Sequence, residues 1–318
     1  MYRKIRRIAL TGPTGAIGMA IIKKCIEEQI ELLLITRTDS TRNMNIPKSD
    51  YITLVYADIF EYDKIDVRRL DIDSSRQVDA FIHLAWMGTV GDARNDMELQ
   101  IKNIEGTMSA VRLANRLGCR LFIGAGSQAE YGRVEGYLHP NTPTFPENGY
   151  GMAKLCAGQM SRVLCEQLGM EHIWLRVLSI YGPYDGEKSM VMSAIDSFAN
   201  SKEISFTKGE QKWDYLFNRD AARMIYKLLH NGKHGKIYCI GSGKERMLKE
   251  YIQDIYSVVT GRNASESDIG IGKQRYVDKQ IMFLCADMKE LEEDIGTVEI
   301  TPFTEGIKET VEWFRNRE

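Results

Sequence analysis

No stretch of the chain approaches the roughly 20 consecutive apolar residues that a membrane-spanning helix needs, and neither sign of charge dominates. Lys and Arg number 42 against 44 Asp and Glu, a formal net charge of −2, so no basic surplus points to nucleic acid or an anionic membrane surface. Local cationic clusters able to hold a phosphate remain open. The six cysteines (Cys25, Cys119, Cys156, Cys165, Cys239, Cys285) show no C-x-x-C spacing and sit mostly in apolar patterns, as reduced, buried thiols of a cytoplasmic protein would. The five histidines form no H-E-x-x-H motif, so no metal site is expected. The opening "MYRKIRR" runs into a short apolar strand without the h-region or small-residue cleavage site of a signal peptide, and a cytoplasmic location is expected. Internal repeats and low-complexity segments are also lacking.

What is present is a rhythm. Short apolar runs at 8–11, 32–36, 52–56, 80–84, 120–125 and 172–177 read as strands. Amphipathic segments at 18–28, 97–117 and 153–168 carry apolar residues at three- and four-residue spacing and read as helices. The strands are almost continuously apolar, as when helices cover both faces of a sheet. This alternation predicts an α/β fold with a doubly wound parallel sheet, and 318 residues allow one large core or two coupled domains. After about Tyr181 the rhythm breaks. "YGPYDGEKS" is rich in turn residues, and "GRNASESDIGIGKQRY" reads as a polar loop or small β segment. Runs at 214–217 and 236–240 still read as strands, so the later part mixes returning sheet elements with a smaller, less regular lobe.

Between the first strand and the first helix lies "TGPTGAIG", with Gly12, Gly15 and Gly18 at G-x-x-G-x-x-G spacing. Such a loop lets the backbone approach a pyrophosphate, which then sits at the positive end of the helix. Gly12, Thr14, Gly15, Ala16, Ile17 and Gly18 are therefore expected around a dinucleotide. No Gly-Lys-Ser/Thr ending follows, which excludes a Walker loop. NAD-binding sheets usually carry an acid at the end of the second strand to hold the ribose 2′-hydroxyl. Here "LLLITRTDSTR" places Thr36 at that point, with Arg37, Ser40 and Arg42 close behind. Arginine there can pair with the 2′-phosphate of NADP. The alternatives are a solvated loop arginine, or NAD with Asp39 as the acid. Asp58 and Ile59, after the third strand, suit an adenine contact.

The fourth strand ends in "HLAWMG". Leu84, Ala85 and Trp86 fall on the cofactor side of the sheet's carboxyl edge, and Trp86, Met87 and Gly88 suit the lining of a substrate pocket. The same residues would also serve as plain core, and His83 reads as a packed strand histidine. The fifth strand runs into "GAGSQAEYG", and 23 residues after Ser127 comes "YGMAK", Tyr150 to Lys154. Positions i and i+4 share a helix face, so Tyr150 and Lys154 can meet one ligand. With 15 tyrosines, a Tyr-x-x-x-Lys arises readily by chance. A second, Tyr184 and Lys188, spans an Asp-Gly turn, and context favours the first. A tyrosine of ordinary pKa near 10 is a weak acid or base at neutral pH. A neighbouring ammonium and the nicotinamide charge would favour its phenolate. Ser127 can then hold a substrate oxygen while Tyr150 moves its proton and the nicotinamide exchanges hydride at the same carbon.

With these pieces in order, the sequence resembles the extended branch of the short-chain dehydrogenase/reductase superfamily, the NAD-dependent epimerase/dehydratase family. "TGPTGAIG", "ADIF", "HLAW", "NIEGT", "GAGSQAEYG", "YGMAK", "LRVLSIYGP", "WDYLFNRDAA", "YCIGSG" and "TPFTEGIKETVEWF" carry the resemblance almost end to end. It implies a Rossmann domain over 1–180, with elements near 214–245 returning to it, and a substrate-binding lobe of 181–213 and 246–318. It also implies catalysis by Ser127, Tyr150 and Lys154, a supporting Asn103, a nucleotide-activated sugar as substrate, and a homodimer built on helices 97–117 and 153–168.

The chain departs from the family in three places. Dehydratases carry an Asp-Glu pair after the catalytic Ser or Thr, where this chain has Gln128 and Ala129; elimination lacks its acid and base. Glu130 comes one position later, and strand alternation would turn its side chain the other way. Ser179 stands where many relatives have asparagine, and Trp213 where they have an arginine on the sugar diphosphate. Lys212 and Arg219 are nearby cations able to take that diphosphate, while Trp213 would stack on a base or sugar or pack within the lobe. The expectation is an NADP-dependent reductase of a keto nucleotide-sugar at C4. The alternatives are a redox-neutral nucleotide-sugar epimerase holding NAD(P), and a cofactor-sensing binding protein, whose relatives lose the Tyr or Lys kept here.

Overall fold

The computed structural model describes residues 3–70, 77–263 and 269–317. The stretch 264–268 of the polar segment noted above lies outside the described residues, and 269–274 forms turns and bends.

Strands β1 (Arg7–Thr11), β2 (Glu31–Thr36), β3 (Ile52–Tyr56), β4 (Ala80–His83), β5 (Leu121–Ser127) and β6 (Glu171–Val177) lie within a residue or two of the apolar runs. With β10 (Ile237–Ile240) they form a seven-stranded sheet in the order β10-β6-β5-β4-β1-β2-β3, each pair parallel. Period-2 alternation sends Ile8, Leu10, Leu32 and Leu34 to one core and Ala9, Leu33 and Ile35 to another. Helix α1 (Ala16–Glu27) and helix α5 (Asn218–Asn231) cover the first face. Helices α2 (Met97–Arg116) and α3 (Gly149–Gln167) cover the second. Each large aliphatic side chain so buried contributes about 1.5–3 kcal/mol, so both faces need their helices. Helix α3 starts four residues before the periodic pattern does, because Asn148 caps it by accepting the Gly151 N–H at 2.9 Å. Gly149 and Gly151 hide that start from any propensity reading.

Beyond β6 the chain builds the lobe. β7 (Ser179–Tyr181) pairs with β9 (Tyr215–Phe217), and β8 (Lys212–Trp213) is flanked by β11 (Arg246–Met247) and β12 (Phe283–Leu284). Helices α4 (Met190–Ala199), α6 (Leu248–Thr260) and α8 (Phe303–Asn316) enclose a third core through Ile195, Ile252, Ile255 and Ile307. Helix α7 (Lys289–Ile295) packs on the first core through Leu291. No described helix is long and apolar enough to cross a membrane.

Candidate active site

A cavity of about 510 Å³ opens at the carboxyl end of the sheet. Gly12, Thr14 and Gly15 line it from the β1–α1 loop, Thr36, Arg37, Ser40 and Arg42 from the end of β2, Ile59 after β3, and Leu84 to Thr89 after β4. Gly12 has φ +67°, and a Cβ there would stand 2.8 Å from the Ala85 nitrogen. Only glycine allows both the turn and that approach. The start of α1 has no side-chain cap and no acid in its first turn, which leaves its N–H groups for an anion. Gly18 does not line the cavity; a Cβ would fall 2.5 Å from the Gly12 and Pro13 carbonyls, so it lets the helix close on the loop. Ile17 packs against the core, and the Ala16 carbonyl accepts from Asn218 at 3.1 Å.

At the end of β2, Thr36 is buried and donates its hydroxyl to Asn43 at 2.7 Å, while Asn43 donates to the Arg37 carbonyl at 2.7 Å. Asp39 lies 3.9 Å from Arg37, a loose, exposed pair. Arg42 reaches across to the carbonyl of Tyr184, which sits at φ +68° in the turn that holds the second Tyr-x-x-x-Lys. Asp58 caps a 3-10 turn by accepting the Phe60 N–H at 3.0 Å and does not line the cavity.

The other half of the site lies where β5 ends. Tyr150 is half-buried in the first turn of α3, with Lys154 one turn on. Lys154 is 4 % exposed; its Nζ donates to the Ala125 carbonyl at 2.6 Å and lies 3.8 Å from the Trp86 ring centre, but 5.8 Å from that of Tyr150. Burial pushes its pKa down to about 7, opposed by Glu130. Burial also raises the Tyr150 pKa, against the Ser127 hydroxyl and the guanidinium of Arg94, which lies 4.5 Å from the Tyr150 ring centre. The cation facing the phenol is thus Arg94, which no motif marked, and Lys154 faces Trp86.

Two side chains of α2 hold this arrangement. Buried Asn103 donates to the Met87 carbonyl and accepts the Met87 N–H, both at 2.9 Å. Gln100 accepts from the Trp86 indole at 2.9 Å and donates to the carbonyls of Gly88 and Ala93. Asn103 was marked by resemblance; Gln100 carried no signal beyond its place one turn earlier on the same helix. His83 is buried between Thr11 and Thr107, and burial holds its pKa down at about 3, so it stays neutral.

On the substrate side the expected residues divide. Ser179 and Trp213 meet: the indole N–H donates to the serine hydroxyl at 2.8 Å, and the ring packs beside Leu284 and Ala286. Period 2 turns Lys212 outward, to Glu245 at 3.6 Å. Arg219 departs from expectation. It pairs with Glu309 at 2.8 Å and lines a separate pocket between α1 and α8, because α5 presents it to α8. Gln128 follows Ser127 in a 3-10 turn, its amide oxygen buried without a partner.

A nicotinamide dinucleotide fits these residues: Gly12, Thr14 and Gly15 for its phosphates, Arg37, Ser40 and Ile59 around the adenosine, Tyr150 and Lys154 at the other end. When bound it supplies the hydride donor or acceptor. The Ser127 and Tyr150 hydroxyls are the groups of this chain that can hold a carbonyl or alcohol oxygen and exchange its proton.

The model of the NAD dependent epimerase/dehydratase family matches residues 8–241. Among curated proteins, the chain is similar to the dTDP-4-dehydro-6-deoxyglucose reductase of Escherichia coli, 24% identical over 255 residues, 78% of this chain and 80% of that protein. It is also similar to the dTDP-D-glucose 4,6-dehydratase of Mus musculus, 23% identical over 328 residues, 98% and 89% of the two chains. Among solved structures, the UDP-N-acetylglucosamine 4-epimerase of Methanobrevibacter ruminantium M1 in complex with UDP-N-acetylmuramic acid superposes with a TM-score of 0.85 at 20% identity, over 99% of this chain and 100% of that one. The chain belongs to the NAD dependent epimerase/dehydratase family, and is an enzyme of the extended short-chain dehydrogenase/reductase type.

Proposed function

We propose that this enzyme reduces a keto nucleotide-sugar, at C4, with NADPH. The observation that carries the reading is the end of β2: the buried Thr36 hydroxyl is turned to Asn43, and Arg37, Ser40 and Arg42 line the cavity where NAD sites place an acid. A 2′-phosphate would pair with Arg37 as a charge-assisted contact. Tyr150 gives the proton to the substrate oxygen, and Ser127 holds that oxygen. Gln128 and Ala129 offer neither the acid nor the base of an elimination, while the unpartnered Gln128 amide oxygen suits a sugar hydroxyl.

The second reading is a redox-neutral nucleotide-sugar epimerase with retained NAD(P), favoured by the likeness to a 4-epimerase over the whole chain. Incubation with dTDP-4-dehydro-6-deoxyglucose and NADPH separates the two. The reductase consumes NADPH and lowers absorbance at 340 nm; turnover at constant absorbance overturns it in favour of the epimerase. A homodimer on α2 and α3 belongs to the same proposal. Support comes from Met97, Ile101, Met152 and Met160, each about half exposed on these two helices. A monomer in sedimentation would exclude it.

A further inference from the structure

Three glycines open a slot beneath the active site. A Cβ on Gly124 would lie 2.3 Å from the Trp174 ring, one on Gly126 2.2 Å from Glu130 Oε1, and one on Gly158 2.7 Å from the same indole. β5 and α3 thus give up side chains at facing positions, and Trp174 from β6 fills the space. A buried indole N–H needs an acceptor. Glu130 Oε1 accepts it at 3.0 Å and also accepts the Ser127 N–H at 2.9 Å, while Oε2 accepts from Arg176 Nε at 2.8 Å. Arg176 then donates to the Pro140 carbonyl at 3.0 Å and lies 4.4 Å from the Tyr131 ring centre. Glu130 and Arg176 are 0% and 3% exposed. Taking such a pair out of water costs several kcal/mol per ion, which apolar side chains of similar volume would avoid. Those side chains would also leave the Ser127 N–H without its acceptor.

We propose that Glu130 is a positioning residue of the active site, fixing the Ser127 end of β5 through its backbone N–H and supplying from beneath the negative charge that bears on Lys154. The inference rests on the reading of Ser127, Tyr150 and Lys154 as the reacting set. Around Lys154 stand the Ala125 carbonyl, the Trp86 face, Tyr150 with Arg94 upon it and neutral His83, while Glu130 holds the same strand end two residues on, at the Ser127 N–H. Of the charged groups among these, Glu130 is the one that opposes the effect of burial on the ammonium. Removing its charge therefore makes Lys154 lose its proton at lower pH.

The test reads that ionisation directly. Lys154 Nζ lies against the Trp86 ring, so its charge alters Trp86 emission; the wild-type signal minus that of Trp86→Phe isolates the effect. Glu130→Gln is expected to move the midpoint down by about one pH unit or more. With dTDP-4-dehydro-6-deoxyglucose and NADPH it is expected to lower kcat more than about tenfold with KM within about threefold. Because the single variant strands Arg176, the double variant Glu130→Gln/Arg176→Met, which removes both charges, is measured beside it and keeps the downward shift in a folded protein. An unmoved midpoint in whichever variant folds overturns the proposal. So does failure of both to fold, which assigns Glu130 to stability alone. A shifted midpoint in a protein whose wild type turns over no keto sugar upholds the role of Glu130 and removes the proposed reaction instead.

Discussion

The dinucleotide half and the lobe beyond β6 place their polar side chains by different means. In the first, most expected residues follow a parallel strand by a few positions or lie in the first turns of the next helix, so a local motif determines where they point; Asn103, inside α2, is the exception. In the lobe, β8, β11 and β12 are two residues each, drawn together from three distant parts of the chain. Which face a side chain takes there depends on long-range pairing. The difference teaches that two adjacent candidates, Lys212 and Trp213, can end on opposite faces, one exposed beside Glu245 and one bonded to Ser179.

The comparison can be broken from either side. The largest effect belongs to the dinucleotide half: Tyr150→Phe should lower kcat by about 10²–10⁴, the usual contribution of a positioned proton donor. Activity within a few-fold of wild type would remove Tyr150 from the chemistry. Next comes Lys154. Burial holds its pKa down at about 7 in the folded chain against the ordinary lysine value of 10.5, so between those limits the unfolded chain binds the extra proton. Stability from this group therefore rises with pH across that window and is flat below it. In denaturant melts, the wild type should gain about 2 kcal/mol relative to Lys154→Met between pH 7 and pH 9; parallel curves would contradict the burial argument.

Smaller effects sharpen the lobe. Trp213→Phe removes the indole N–H and leaves the Ser179 hydroxyl without it, at a cost of about 1 kcal/mol in urea unfolding. A larger loss with no change in substrate KM would make the ring purely structural. Arg219→Ala should change stability by about 0.5 kcal/mol or less and leave turnover alone, since its partner is the exposed Glu309. A raised substrate KM would return Arg219 to the site.

Legibility followed the same division. The six strands of the first half were visible because buried parallel strands read as continuous apolar runs, and "TGPTGAIG" named its own loop. Tyr150 and Lys154 were visible as a pair, but their neighbours were not. Arg94 and Gln100 reach the site from the segment after β4 and from α2, with no spacing that links them to Tyr150. Glu130 was read as if β5 continued through it. The strand ends at Ser127 and the chain enters a 3-10 turn, so alternation no longer applies and the carboxylate folds back onto the Ser127 N–H. Arg219 was misplaced because a cation near a diphosphate in sequence says nothing of which helix its own helix faces.

The dinucleotide half also makes the central claim, that this is an NADP enzyme, open to a direct measurement. Titration of the protein with NADPH and with NADH, followed by the quenching of tryptophan emission, should show NADPH binding about tenfold tighter or more, the worth of one charge-assisted pair. Arg37→Ala should close most of that gap while leaving NADH affinity unchanged. Equal affinities in the wild type, or a gap that survives the loss of Arg37, would contradict it.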